Sequence, residues 1–500
     1  MNVFGDTIHV TTNGVSSFDG LVVRAGTDEL ALIYTEAKGI GRAGGWVRVI
    51  HSSDNGLSRG NEVEIFDMPT DDMEVSAIHL LADHSDGDYL YFAQGRVALY
   101  SSRRGQHRVF RSVDGGASWT ATHEVSSDSH RYEEVKLAQS PNDPSEVVYA
   151  VRENEANHES RILIYGSSNR GATFRSRALA VPPSKEPLLS DLMYMDDGTL
   201  VLMYCMDPVV GAKEWYIKRS TNDGFSWGAA VKVNTDGCEG LVEVGNGSLA
   251  QAGTALHAVW GCNNQIMHTR SENGGVTWAE ADVIANDLTL QDGEPELVFS
   301  ETQGVLVLGY VSYEYAGHER YVYRILGNEW SDKARINNHA GYAMKENEAE
   351  GLVFDSNGIL YAGFMDKSRD FGDAEDAAIA ISDPNYRPLT SPMSITVDDA
   401  TLSSSVNRNE FLDFGLSASN RGDATETFDV WITYEGENGI SGTMATFSDL
   451  SVEPDSSVAG TFSTFVPDVS PKQTYRVTAH LGDASIGDAR ETDNFLIHVR

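Results

Sequence analysis

Apolar residues in this chain come in short runs separated by turn-forming residues. A strongly apolar segment recurs at 30–34, 89–93, 147–151, 200–204, 255–260, 305–311 and 359–364. A second strand-like segment follows each, at 46–51, 107–111, 161–165, 215–219, 265–270, 321–325 and 377–382. Runs this short, rich in β-branched and aromatic residues and bounded by Gly, Asn, Asp and Ser, predict strands. Seven units of roughly 50–60 residues result, each with three or four strands. Residues 7–12 form an orphan strand before the first unit.

One phrase recurs within the units. It reads Ser112-Val-Asp114-Gly-Gly116-Ala-Ser118-Trp119, Ser167-Ser-Asn169-Arg-Gly171-Ala-Thr173-Phe174, Ser220-Thr-Asn222-Asp-Gly224-Phe-Ser226-Trp227 and Ser271-Glu-Asn273-Gly-Gly275-Val-Thr277-Trp278. A weaker copy runs from Ser52 through Asp54 and Gly56 to Arg59. From Asp54 to Asn273 the third positions are spaced by 60, 55, 53 and 51 residues. Asp or Asn can accept from backbone amides just ahead, and Gly at position five supplies positive φ. The closing Trp or Phe is placed to pack into a neighbouring core. The array predicts an all-β fold, a seven-bladed β-propeller with six blades as the alternative, the orphan strand completing the last blade.

Near 384–394 the pattern changes. Asp383-Pro384 to Pro388 and Ser391-Pro392 read as a linker. Beyond it, period-two alternation appears at Leu412, Phe414 and Leu416, at Phe428, Val430, Ile432 and Tyr434, and at Tyr475, Val477, Ala479 and Leu481. Two domains are expected: a propeller over 1–388 and an immunoglobulin-like sandwich over 389–500.

Charge narrows the partners. Asp and Glu number 74 against 37 Lys and Arg, a net charge of −37, and only ten of the cations are Lys. Such a surface repels nucleic acid and anionic lipid. No apolar run approaches a membrane span, and the start of the chain is not leader-like. Diffuse acidity with little Lys points to high salt, where screening tames self-repulsion. Three cysteines, Cys205, Cys238 and Cys262, permit one bridge, with Cys238–Cys262 the pair to consider. Gly39-Ile-Gly41-Arg-Ala-Gly44 fits a dinucleotide fingerprint, but a strand follows it and no helix N-terminus is there to bind phosphate.

The phrase resembles the Asp box of sialidase-type propellers, and the resemblance covers roughly residues 1–390. The tail resembles a CARDB sandwich through Ser419-Asn420-Arg-Gly422-Asp-Ala424 and Glu491-Thr-Asp493-Asn494-Phe495. The likeness implies Asp54, Asp114, Asn169, Asn222, Asn273, Trp119, Phe174, Trp227 and Trp278 as structural corner residues. It also implies an early arginine and a late nucleophilic tyrosine for a sialidase. Here the matching stretches are Phe18-Asp19-Gly20-Leu21 and Ala349-Glu350-Gly351-Leu352, without either. No catalytic residue is therefore expected from the family.

Acids recur where innermost strands should begin: Asp19, Glu134, Asp191, Glu239, Glu294 and Glu350. Converging oxygens suit Ca²⁺ or Mg²⁺, with Asp191, Glu239, Glu294 and Glu350 as candidate ligands. Long loops at 38–45, 152–160, 313–320 and 366–376 carry or adjoin Trp46, Tyr132, Tyr313, Tyr315, Tyr342 and Phe371, aromatic platforms for sugars. Tyr132, Tyr313 and Tyr315 join the acids as candidate ligand-binding residues. The expected function is a virion-surface attachment protein of a haloarchaeal virus, such as a turret or fibre. Its propeller would bind a host glycan or S-layer-type glycoprotein. Its sandwich would dock to other virion proteins, in a homo-oligomer. The alternative is an extracellular or cell-surface glycoside hydrolase without sialic-acid specificity, and a purely structural virion protein is a third reading.

Overall fold

The structure, a computed structural model, describes residues 8–9, 16–26, 29–37, 45–52, 62–68, 73–98, 104–154, 159–185, 187–209, 212–234, 238–239, 247–262, 265–285, 295–314, 318–326, 330–331, 334–336, 343–344, 351–366, 376–382, 393–398, 405–420, 425–436, 440–453, 456–467, 470–484 and 488–500. Among these residues there is no helix, and the strands form nine sheets.

Seven of the nine arise from residues 8–381, all antiparallel, and the first six run as meanders in chain order. The second sheet is typical: Met73–Ala82, Leu90–Ala98, Gly105–Ser112 and Thr120–Ser127. Its second strand is buried along its whole length, because neighbouring sheets cover both faces. That double burial is why the second strands read as continuous apolar runs.

Each sheet meets the next through its own apolar cluster. Phe92 and Phe110 of the second sheet pack with Ile33 and Val49 of the first. Equivalent clusters fill the following junctions. The last joins Ile359, Tyr361 and Ile379 to Leu21, Leu32 and Tyr34 of the first sheet, so the array closes into a ring. The fold is a β-propeller. Its seventh sheet takes Ile8–His9 as outermost strand, paired with Asp376–Ile381 through Ile8↔Ile379 and His9↔Ala378. The orphan segment thus closes the ring.

The four good phrases turn the chain between the third and fourth strands of the second to fifth sheets. In the first, Ser112 Oγ donates to Asp114 Oδ1 (2.8 Å) and accepts from Gly116 N (2.8 Å). Asp114 Oδ1 accepts from Ser118 N (2.8 Å), and Oδ2 accepts from Ser118 Oγ (2.6 Å). Where Asn stands instead, its Oδ1 still accepts the amide of position seven, and its Nδ2 donates to that residue's hydroxyl. Positions four and five are both left-handed, with Arg170 at φ 51° and Asp223 at 55°. Only position five was expected to be. Trp119, Phe174, Trp227 and Trp278 each reach back into the junction with the preceding sheet. The copy at Asp54 lies outside the described residues.

Residues 393–499 form the other two sheets, which share one core that includes Phe414, Ile432, Val477 and Leu481. Met393–Asp398, Phe411–Asn420 and Ser456–Phe465 make one. The other is ordered Ser405–Val406, Asp488–Val499, Thr474–Asp483, Glu426–Gly436 and Ser441–Val452. The alternating residues of the sequence are the inward-facing ones. Cys262 is disulfide-bonded, and Cys205 is a buried thiol outside any disulfide.

Two outcomes are expected. A methyl group at Gly116 (φ 91°) would lie 2.4 Å from His51 Cε1, whereas Gly253 (φ 60°) has nothing within 4 Å. Gly116→Ala should therefore lower the urea midpoint more than Gly253→Ala, whose cost is backbone strain of about 1–2 kcal/mol. Partial burial pushes the Asp114 carboxyl up, but hydrogen bonds from Ser118 and Ser112 outweigh it and hold it below its ordinary 3.8. Its stabilising contribution is present above 3.8 and is lost as pH falls through the lower folded value. Asp114→Asn, which copies the other three corners, should fold at neutral pH and show a shallower acid limb in pH-dependent melting. An unchanged limb would remove Asp114 from acid unfolding.

Candidate functional site

The innermost strand of each propeller sheet has a partner on one side only, so alternate backbone amides need another acceptor. The preceding sheet supplies it. Leu137 N donates to His79 Nδ1 (3.2 Å), joining the third sheet to the second. Leu189 N donates to Glu134 Oε2 (3.1 Å) and Leu249 N to Asp191 Oδ2 (2.7 Å). Leu297 N donates to Ser248 Oγ (3.1 Å). Gly351 N and Leu352 N donate to Glu296 Oε2 and Oε1 (2.8 and 3.0 Å). Five consecutive junctions are stapled in this way.

Bulges aim several of the acceptors. Register shifts fall between Tyr132 and Val135, where Glu134 sits, and between Leu189 and Asp191. An extra residue there turns side chains toward the neighbouring sheet. Glu134 also accepts from Arg152, which in turn pairs with Glu133. Asp191 Oδ1 accepts from Leu192 N (2.7 Å). Glu134, Asp191 and Glu296 are all buried.

Between the innermost strands of the second to sixth sheets lies a cavity of about 300 Å³. Its polar lining includes His79, Lys136, Gln139, Ser190, Asp191, Ser248 and Glu296, with leucines and valine between them. Tyr194 also lines it, and its hydroxyl donates to Asp223 Oδ1 (3.0 Å). Burial and that carboxylate raise the Tyr194 hydroxyl well above the usual tyrosine range.

The expected acidic ring is thus redistributed. Asp191 lines the cavity, and Glu134 is a staple buried in the junction. Glu239 does not begin an innermost strand: Cys238–Glu239 pairs with the third strand of the fourth sheet through Ala212↔Glu239, and the fifth sheet starts at Gly247–Ala252. Asp19 lies at a bulge between Phe18 and Gly20. The side chains of Asp19 and Glu239 fall outside the described residues, as do Glu294 and Glu350 altogether. Among the described residues no group of three or more His, Cys, Asp or Glu is placed to hold a metal ion.

Tyr132 departs from the expected sugar platform. It is 3% exposed, edge-on to His107 at 4.5 Å, with its hydroxyl donating to Glu153 Oε1 (3.0 Å). Burial and Glu153 push that hydroxyl up. Trp46 lies under Arg48, 4.9 Å from its guanidinium carbon. Two expected loops are mostly strand: Val305–Glu314 and His318–Leu326 pair out to Glu314↔His318, and Val147–Asn154 pairs with Glu159–Ser167 out to Asn154↔Ser160. Tyr313 lies on the first hairpin with its side chain outside the described residues, and Tyr315, Tyr342 and Phe371 lie outside them entirely.

Glu296, Ser248, His79 and Lys136 escaped the sequence reading. Glu296 stands two residues past the expected Glu294, displaced by Pro295. Ser248 closes the turn-forming run Asn246-Gly247-Ser248 and gives no strand signal of its own. Lys136 had a signal: one of only ten lysines, between Val135 and Leu137.

No family model matches the chain, and no curated protein matches it. Among solved structures, a Hadza microbial sialidase is 15% identical with a TM-score of 0.43, covering 61% of this chain and 66% of its own. The chain thus spans just under two thirds of that protein. An α-L-arabinanase from Penicillium chrysogenum, complexed with arabinobiose, is 13% identical with a TM-score of 0.41, over 62% of this chain and 93% of its own. A CARDB domain from Pyrococcus furiosus is 14% identical with a TM-score of 0.17, over 22% of this chain and 94% of its own.

The staples generate a prediction. Asp191→Ala orphans the buried amide of Leu249, at a cost of about 1–3 kcal/mol. Asp191→Asn keeps one oxygen acceptor and should recover part of that loss in urea unfolding. Equal losses in the two variants would show that the carboxylate does not hold the junction.

Proposed function

We propose that the protein recognises carbohydrate without cleaving it, as a surface attachment protein in brine. The supporting observation is that, among the described residues, both carboxylates lining the cavity are committed. Asp191 and Glu296 each receive two backbone amides, one on each oxygen. A general acid or base must keep an oxygen in reach of substrate. What remains facing the cavity is apolar wall with a few convergent donors, the pattern of a small-ligand binding site.

The −37 charge supports a saline setting and argues against nucleic-acid or anionic-lipid partners. We place the chain on the surface of a halophilic virion, the sandwich docked to neighbouring virion proteins and the propeller facing a host glycan or S-layer-type glycoprotein. Display at a cell surface is the alternative setting. Ca²⁺ or Mg²⁺ would act by bridging acidic surface to anionic receptor.

The test is binding of the full chain to a glycan panel and to host envelope at high salt, with and without chelator, alongside a reducing-sugar assay. Binding without sugar release is expected. Lys136→Met should weaken it roughly 10- to 100-fold, the value of a hydrogen bond to a charged group. Sugar release would favour the glycoside-hydrolase reading. Binding unchanged in Lys136→Met would remove the cavity from recognition.

A further inference from the structure

Among the described residues, the outer edge strands are guarded, with one exception. The outermost strands of the first six propeller sheets carry charges, among them Glu62 and Glu64, Glu124, Arg175 and Arg177, Lys232, Asp282 and Arg335. That of the seventh is two residues long. In the sandwich, Met393–Asp398 is short and ends on an acid. Ser441–Val452 carries Asp449 at φ 57°, and its pairing with Glu426–Gly436 is interrupted by two register shifts. Charge, brevity and irregularity are the usual defences against strand addition.

Ser456–Phe465 has none of them. It is ten residues long, pairs among the described residues only with Phe411–Asn420, and keeps unbroken register from Phe411↔Phe465 to Asn420↔Ser456. Residues 456–467 contain no ionisable side chain, in a chain with 74 acids. Eight of the strand's ten residues are exposed. Apolar rings cluster around it: Phe411 (62% exposed) stacks edge-on against Phe465 (48%) at 5.4 Å, and Phe447 (42%) meets Phe462 at 6.4 Å. Val458, registered opposite the buried Ala418, is still 44% exposed, so the facing sheet leaves this end of the sandwich uncovered.

We propose that this strand pairs with the same strand of a second copy, antiparallel about a two-fold axis at Gly460. Charge decides the occupant. Two chains of −37 repel over most of their surfaces, and an edge strand that itself carries no carboxylate is where they can meet at lower cost, although Asp413 stands opposite Ser463 on the neighbouring strand. Antiparallel pairing satisfies the open amides and carbonyls of both edges and is self-complementary, as a two-fold contact must be. The phenylalanines around the strand then become shared apolar surface.

Sedimentation of the full chain at high salt should give twice the mass of a single chain. Ala459→Glu with Ser463→Glu places carboxylates on two exposed edge residues and should return the mass to one chain, with the melting transition retained. Because the double variant tests folding as well, Gly460→Cys provides a second measurement: under oxidising conditions it should give a disulfide-linked dimer absent from the parent chain. A parent that sediments as a single chain, a double variant that stays folded and dimeric, or a Gly460→Cys chain that does not cross-link would overturn the proposal.

Discussion

An innermost propeller strand must find acceptors for amides that its own sheet cannot satisfy. That requirement organises the molecule. An orphaned buried amide costs about 1–3 kcal/mol, against a net stability of about 5–15 kcal/mol for a typical domain. Two failed junctions would consume much of that margin. The side chains that meet the need are chemically unlike: an imidazole, two glutamates, an aspartate and a serine hydroxyl. What they share is a lone pair at the right height on the strand, which apolar packing between sheets cannot provide.

The corners were legible because their chemistry is local. A serine, an Asp or Asn two residues on, and a glycine two beyond that hydrogen-bond within eight residues, so the letters themselves carry the geometry. The left-handed fourth position was not legible, since Arg170 and Asp223 occupy it without a glycine signal. The staples were half legible. Glu134 and Asp191 stood out as acids in apolar strands, but their partners lie 55 and 58 residues away. Strand starts set by Pro295 and Gly247 cannot be read to within two residues from periodicity. Tyr132 misled because a tyrosine beside a loop and one folded under it look alike in sequence.

The staples also bear on chemistry. A carboxylate with both oxygens engaged by amides is held in one orientation. Lys136 lies on the same strand as Glu134, so the junction that holds the third and fourth sheets together also sets where the cavity's cation stands. The proposed binding cavity and the architecture draw here on one set of strands.

The seventh sheet gathers strands from both ends of the propeller sequence, and among the described residues two residue pairs join them. Tension applied between residues 8 and 381 would be carried first by that small clasp and by the apolar contact behind it. If the ring yields under mechanical load, it should part at this seam, leaving the six sheets between still meandering and able to re-close once the load is released.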